Sequence, residues 1–116
     1  MTEFFFPQVS VSSWAEECFE VCFRDNQDND DAYLLIQRQF DDDDRGYVYL
    51  ECPQPALCGH FRIRHAQLER EVLSLEVIRG PVETVRIRFL AGDALYEELK
   101  QTLSIMMPAG VFHILP

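Results

Sequence analysis

The cysteine and histidine side chains have the most versatile chemistry in this chain, because they bind metal ions and act as nucleophiles. Structural zinc sites pair two ligands at a spacing of two to four residues, and do so twice. Cys18 and Cys22 lie four positions apart on one predicted strand, so their sulfurs are too distant to chelate one ion well. Cys58 and His60 share a strand face, but the next cysteine, Cys52, lies six residues before Cys58, which is too far for the paired spacing. We therefore expect small half-buried thiols, with no metal and no cofactor.

Calcium binding and covalent catalysis are two further chemistries that local patterns suggest. Residues 28–31 resemble the start of a calcium loop, but its sixth and twelfth positions hold Tyr33 and Gln39 instead of Gly and Glu. Cys58-Gly59-His60 places a thiol near an imidazole, yet catalytic Cys and His residues normally meet through the fold. The sequence contains no phosphate-binding or dinucleotide-binding fingerprint. We expect a protein that is not an enzyme.

The charge of the chain is its most unusual property. The net charge is −10, and the excess lies in the first half: residues 1–60 hold 13 acids and 3 bases, whereas residues 61–116 hold seven of each. This charge disfavours binding to nucleic acid or to an anionic membrane, since both require Lys and Arg. It favours a basic protein partner, because complementary fields accelerate encounter. The alternative is a solvated acidic face that only keeps the protein soluble.

The acidic residues concentrate in two stretches, residues 25–31 and residues 41–44, and tyrosines lie near both. Adjacent carboxylates repel one another, and a positively charged partner offsets that repulsion. Aromatic side chains beside charge are good interface anchors, and packing within a sheet is the alternative explanation for them. The residues that we expect to contact a partner are Asp28, Asp30, Asp31, Asp41, Asp42, Asp43, Asp44, Tyr47 and Tyr49.

The length and the apolar runs bear on domain number and location. A chain of 116 residues predicts one domain, residues 1–116. No apolar run approaches the ~20 residues that a membrane helix requires. Residues 1–7 lack a basic start and contain only three consecutive apolar residues before Pro7, unlike a signal peptide. We therefore expect a cytoplasmic protein with reduced cysteines.

The hydrophobic pattern predicts a sheet. Period-two alternation and β-branched residues indicate about six strands, at residues 17–24, 33–40, 47–50, 60–64, 72–79 and 83–90. Residues 41–46 are then the acidic turn of a hairpin. For the first strand, a short helix around residues 13–19 is the alternative, since Ser13 and Glu16 form a capping pattern. We expect residues 4–7 to be a short apolar segment and residues 9–13 a connector.

A change of period after residue 90 predicts a C-terminal helix. Leu95, Leu99, Leu103 and Met106 recur every three or four residues, and Asp93 is a favourable N-cap. The apolar stripe of this helix needs a surface to cover, and one face of a sheet needs a cover. The predicted fold class is α+β: an antiparallel meander of about six strands with one amphipathic helix packed on one face. Residues 111–115 are either a final short strand or an apolar tail.

The order of these elements resembles a known family. A Tyr-Leu-Leu-Ile-Gln-Arg strand, an acid-rich loop, a Tyr-Val-Tyr-Leu-Glu strand, a glycine-containing turn, two alternating strands with outward arginines and a closing helix follow one another over residues 32–107. This pattern is similar to a family of small immunity proteins from bacterial polymorphic toxin systems, the family catalogued as immunity protein number ten. The resemblance implies a non-catalytic protein that binds and neutralises a cognate toxin by occlusion.

Two other classes of function remain as alternatives. The first is an acidic secretion-effector chaperone, or another protein-binding module, that holds an unfolded segment of its partner. Such chaperones are usually dimers with exposed apolar grooves. The second is an orphan enzyme or a metal-binding domain, which stoichiometric zinc in the purified protein would favour.

Overall fold

The structure is a computed structural model that describes residues 1–25, 32–40 and 47–116. In this part of the chain, nine strands form one sheet and one helix follows the eighth strand. The elements are β1 (Thr2–Phe6), β2 (Gln8–Trp14), β3 (Cys18–Arg24), β4 (Tyr33–Gln39), β5 (Tyr47–Glu51), β6 (Gly59–Glu69), β7 (Val72–Ile78), β8 (Val82–Phe89), α1 (Asp93–Met106) and β9 (Phe112–Ile114). A short 3-10 turn, Pro55–Leu57, lies between β5 and β6.

The strands follow the order β1-β8-β7-β6-β5-β4-β3-β2, and β9 pairs with β6. From β2 to β8, each strand is antiparallel to the next one in the chain, as in the predicted meander. Two pairs are parallel, β1 with β8 and β6 with β9. The α+β class and its C-terminal helix are confirmed. The prediction of about six strands is wrong, since the described residues form nine.

The first two strands account for most of this difference, and they lie at opposite edges of the sheet. Only Pro7 separates β1 from β2, so the Cα atoms of Phe6 and Gln8 are at most ~7 Å apart. The two edges must therefore approach each other, and the sheet curls. Consistent with this, the ring centroids of Phe23 on β3 and Phe89 on β8 are 5.5 Å apart in the interior. A cleft of about 370 Å³ lies between the β2 edge of the sheet and the residues that follow β8.

Alternate residues of each strand form the hydrophobic core inside the curl. For the strands at residues 72–79 and 83–90, period-two alternation predicts six inward residues, and the structure confirms them. Each is at most 1% exposed: Leu73, Leu75, Val77, Val85, Ile87 and Phe89. On β4 and β5 the buried residues are likewise Leu34, Ile36, Val48 and Leu50. Their neighbours in sequence point to the opposite, outer face of the sheet. That alternation places the outward side chains of β4 and β5 on one surface.

β6 departs from simple alternation. Its register with β7 shifts between Ile63 and His65, which marks a β-bulge. Ile63 and Ala66 are both buried, while His65 pairs opposite the half-buried Glu76. In a regular strand the alternation predicts that Ile63 and His65 share a face, and this prediction is wrong because the bulge inserts one residue. The strand continues to Glu69, and β9 pairs with its second half, so residues 111–115 contain a strand.

The turn between β2 and β3 has no glycine or proline. Ala15 and Glu16 both have positive φ angles, 52° and 59°, which non-glycine residues rarely adopt. The amide of Glu17 donates to the carbonyl of Trp14 at 3.0 Å and closes the turn. The alternative helix around residues 13–19 does not form, since a strand ends at Trp14 and the next begins at Cys18.

Helix α1 packs against β2, β3 and β9. Leu99, Leu103 and Met106 of the predicted stripe are fully buried, and Tyr96 is 9% exposed. Gly92 is the N-cap, so Asp93 lies in the first turn instead of capping it. The carboxylate still lies at the helix end that favours negative charge.

Two arginines hold the ends of α1. Arg70, between β6 and β7, donates from Nη2 to the carbonyl of Ala91 at 2.9 Å and to Oδ1 of Asp93 at 3.0 Å. Its guanidinium lies 4.6 Å from the ring centroid of Tyr96. At the other end, Nη1 of Arg38 donates to the carbonyl of Met106 at 2.7 Å. A cation at this helix end is favourable because the helix dipole is negative there.

Candidate functional site

The outer surface of β4, β5 and β6 carries a group of polar and aromatic side chains that the pairing of these strands brings together. Register pairs Tyr47 with Arg62, Tyr49 with His60 and Gln37 with Tyr49, so alternate residues of three strands lie side by side. We call this surface the tyrosine face. It consists of Tyr33, Tyr47, Tyr49, Glu51, His60 and Arg62.

Glu51 organises one end of the tyrosine face. The hydroxyl of Tyr33 donates to its Oε2 at 2.5 Å, and the hydroxyl of Tyr49 donates to its Oε1 at 2.9 Å. These bonds favour the charged carboxylate, so they lower the pKa of Glu51. The same hydrogen bond to Glu51 raises the pKa of Tyr33 to about 12, and the pKa of Tyr49 is raised for the same reason. One carboxylate thus fixes the orientation of two half-buried tyrosine side chains.

Contacts of aromatic rings with each other and with arginines hold further side chains across the sheet. The ring of Tyr49 lies 5.1 Å from that of His60, centroid to centroid, at an interplanar angle of 52°. The guanidinium of Arg62 lies 5.6 Å from the ring of Tyr47, which is 37% exposed. Arg24 lies 5.9 Å from the ring of Tyr33. The predicted contact residues Tyr47 and Tyr49 are therefore on one surface, with both side chains held by neighbours.

The predicted acidic contact residues lie outside the described residues, in the connections between β3 and β4 and between β4 and β5. These residues are Asp28, Asp30, Asp31, Asp41, Asp42, Asp43 and Asp44. The described residues that flank the two connections are at opposite ends of β4, which spans about 20 Å at ~3.3 Å per residue. At one end, the amide of Asp25 donates to the carbonyl of Ala32 at 3.2 Å. At the other end, the amide of Phe40 donates to the carbonyl of Glu17 at 2.6 Å.

The tyrosine face runs between these two ends. Tyr33 and Glu51 are near the start of β4, whereas Tyr47 begins β5 at the other end. The face therefore extends along β4 from Tyr33 to the end where β5 begins.

The cysteines and histidines are arranged differently from the zinc pattern considered above. Cys18 and Cys22 are four residues apart on β3, or about 13 Å along the strand. Cys52 and Cys58, which the sequence leaves six residues apart, come together in the turn after β5. The ring of His60 packs on Tyr49. Within residues 1–25, 32–40 and 47–116, no three His, Cys, Asp or Glu side chains group around a possible metal position.

Glu51 is the functional candidate that the sequence pattern did not indicate. It closes the Tyr-Val-Tyr-Leu-Glu strand of the resemblance, but that pattern gives it no role, and its partner Tyr33 is 18 residues away in the chain. Only the pairing of β4 with β5 brings their side chains together. A polar residue at the end of an alternating apolar strand was the one available signal, and such residues are common at strand ends.

Comparison of the chain with protein-family models, with curated proteins and with solved structures gives no match. The described residues contain no helix with the length and apolarity needed to cross a membrane.

Proposed function

We propose that this protein is a non-catalytic immunity protein that binds a cognate bacterial toxin and blocks it by occlusion. The observation that carries the proposal is the tyrosine face, an ordered aromatic and polar surface on β4, β5 and β6. Tyrosine and arginine are the residues that most often dominate the energy of a protein contact. The resemblance over residues 32–107 supports a toxin as the partner, and the acidic composition of this chain supports a basic surface on that toxin.

The tyrosine face has the properties of a preorganised contact surface. Glu51 holds the hydroxyls of Tyr33 and Tyr49, so these side chains lose little conformational freedom when a partner binds. Both side chains are only partly buried, and each hydroxyl oxygen is able to accept a further hydrogen bond. Binding at this surface would then depend on packing and on local hydrogen bonds, and would resist salt.

The acidic stretches have a different role in the proposal. A net charge of −10 that lies in the first half of the chain attracts a basic surface from a distance and accelerates encounter. Toxins that act on nucleic acid have basic clefts, which an acidic inhibitor would cover. This part of the binding energy falls as salt screens the charges.

The test begins with capture of the tagged protein's partners from the source cells at low and at high salt. Expression of the captured protein alone should stop growth, and co-expression with this chain should restore it. Two variants then separate the parts of the surface: one replaces Asp41–Asp44 by Lys, and the other is Tyr49→Ala. We expect charge reversal to slow association and Tyr49→Ala to accelerate dissociation.

A matched control distinguishes local contact from net charge. It replaces four exposed acids that lie away from the tyrosine face by Lys, which changes the net charge by the same amount: Glu3, Glu71, Glu97 and Glu98. This control should keep both protection and affinity. Protection that survives both Asp41–Asp44 reversal and Tyr49→Ala would contradict the proposal. A non-toxic captured partner, bound with little salt dependence, would instead favour the secretion chaperone.

A further inference from the structure

The turn between β5 and β6 brings two thiols onto the same short stretch of backbone. Sγ of Cys58 lies 3.4 Å from the amide nitrogen of Cys52 and donates to its carbonyl at 3.2 Å. Since the N–Cα bond is about 1.46 Å, this sulfur lies within about 4.9 Å of the Cα atom of Cys52. Both thiols also donate to the carbonyl of Gln54, at 3.5 Å from Cys52 and 3.7 Å from Cys58.

The fold holds this arrangement through the backbone of the turn. The amide of Leu57 donates to the carbonyl of Gln54 at 2.9 Å, and that of Cys58 donates to the carbonyl of Pro55 at 3.1 Å. The side chain of Leu57 is 2% exposed and anchors the turn in the core. Pro55 restricts the backbone further. The proximity of the two sulfurs is thus a property of an ordered turn.

The two thiols differ in exposure. Cys58 is exposed, whereas Cys52 is half-buried. Burial raises the pKa of the Cys52 thiol, and the nearby Cys58 thiol raises it further. The thiolate is the form that reacts with oxidants, and access decides which one reacts first. Cys58 is therefore the thiol that a dissolved oxidant reaches, and Cys52 is positioned to react with the product.

We propose that Cys52 and Cys58 are an oxidation site that forms a reversible disulfide when the protein meets a peroxide. The thiolate of Cys58 attacks one peroxide oxygen, the O–O bond breaks, and Cys58 becomes a sulfenic acid while the other oxygen leaves as water. The Cys52 thiol then attacks the Cys58 sulfur, an S–S bond forms, and the sulfenic oxygen leaves as a second water. Two thiols are oxidised by two electrons and one hydrogen peroxide is reduced. A dithiol reductant reverses the oxidation. The proposal does not depend on binding to a toxin.

The experiment follows the tryptic peptide of residues 46–62, which contains Cys52 and Cys58 and no other cysteine. The reduced full-length protein is treated with an equimolar amount of hydrogen peroxide, alkylated and digested with trypsin. The masses of its peptides are then measured by mass spectrometry. We expect this peptide to be lighter by two hydrogen atoms and to resist alkylation. Treatment with dithiothreitol should restore two alkylation sites.

Two variants make the test specific. In Cys52→Ser the sulfenic acid on Cys58 has no nearby thiol, so trapping by dimedone should rise about tenfold over the wild-type protein. Cys18→Ser, on a different strand, should form the disulfide as the wild-type protein does. A disulfide that forms within residues 1–24 or between two chains would overturn the proposal. So would oxidation of Cys58 to sulfinic acid while Cys52 still accepts the alkylating reagent.

Discussion

A double-mutant cycle of Glu51→Ala and Tyr33→Phe measures the coupling free energy of the hydrogen bond between these two side chains. The pKa of Tyr33 rises from 10.0 to about 12, which corresponds to ~3 kcal/mol at 1.36 kcal/mol per pKa unit. Solvent screens this partly exposed pair, so that figure is an upper limit. We expect a coupling free energy of about 1 kcal/mol at pH 7, in the range of an intramolecular hydrogen bond.

The pH dependence of this coupling has a defined sign. The folded-state pKa of Glu51 is below its ordinary value of 4.5, so the stabilisation is full above that value and is lost as pH falls through the folded pKa. The pKa of Tyr33 is above its ordinary value of 10.0, so the stabilisation is full below pH 10 and is lost as pH rises toward about 12. The coupling should therefore be constant between about pH 5 and pH 9.5.

Denaturant unfolding of the four proteins at pH 7 gives the coupling free energy. The matched control is a second cycle with Tyr47→Phe, because the Tyr47 ring contacts Arg62 and belongs to the same strand as Glu51. Its coupling should be zero within ~0.3 kcal/mol. Ultraviolet titration of Glu51→Ala should also show the Tyr33 pKa falling from about 12 toward 10. Equal coupling in both cycles, or none in the first, would refute the assigned role of Glu51.

Three further predictions concern stability. Leu99→Ala should lower the free energy of unfolding by about 2–5 kcal/mol because Leu99 is fully buried, while the exposed Gln101→Ala should change it by less than ~0.5 kcal/mol in the same denaturant assay. Arg70→Gln should cost about 1 kcal/mol by removing the contacts at the start of α1, and hydrogen exchange should increase in the first turn of that helix more than in its last. A disulfide between Cys52 and Cys58 should raise the free energy of unfolding by about 2 kcal/mol, because it closes a short loop. Thermal unfolding with and without dithiothreitol measures this effect, and equal unfolding temperatures would contradict it.

Much of the fold is readable in the sequence, because one-sided burial forces a period of two on strands and of 3.6 on helices. Leu73, Leu75 and Val77 predict the inner face of β7, and Leu99 and Leu103 predict the inner face of α1, as the structure has them. The α+β class follows from these patterns alone. The proposed acidic contacts also come from sequence alone, and they lie outside the described residues.

The remaining strands are hidden because local signals are weak or misleading there. The turn after β2 is made by Ala15 and Glu16 at positive φ, where a glycine or asparagine would have marked it. Pro7 suggests the end of one apolar segment, but it joins two strands at opposite edges of the sheet. The bulge at Ile63 and His65 reverses the faces of β6 without any special residue.

The sequence determined the strands from β3 to β8, the helix α1, and which of their side chains are polar. The tertiary structure decided which polar side chains meet. Tyr33 and Glu51 form a hydrogen bond because β4 and β5 pair in one register, and a shift by one residue would turn one of them inward. Cys52 and Cys58 approach because the turn between β5 and β6 folds back over its own backbone. Such contacts depend on register and on turn geometry, which the whole sheet sets and which no single stretch of the chain encodes.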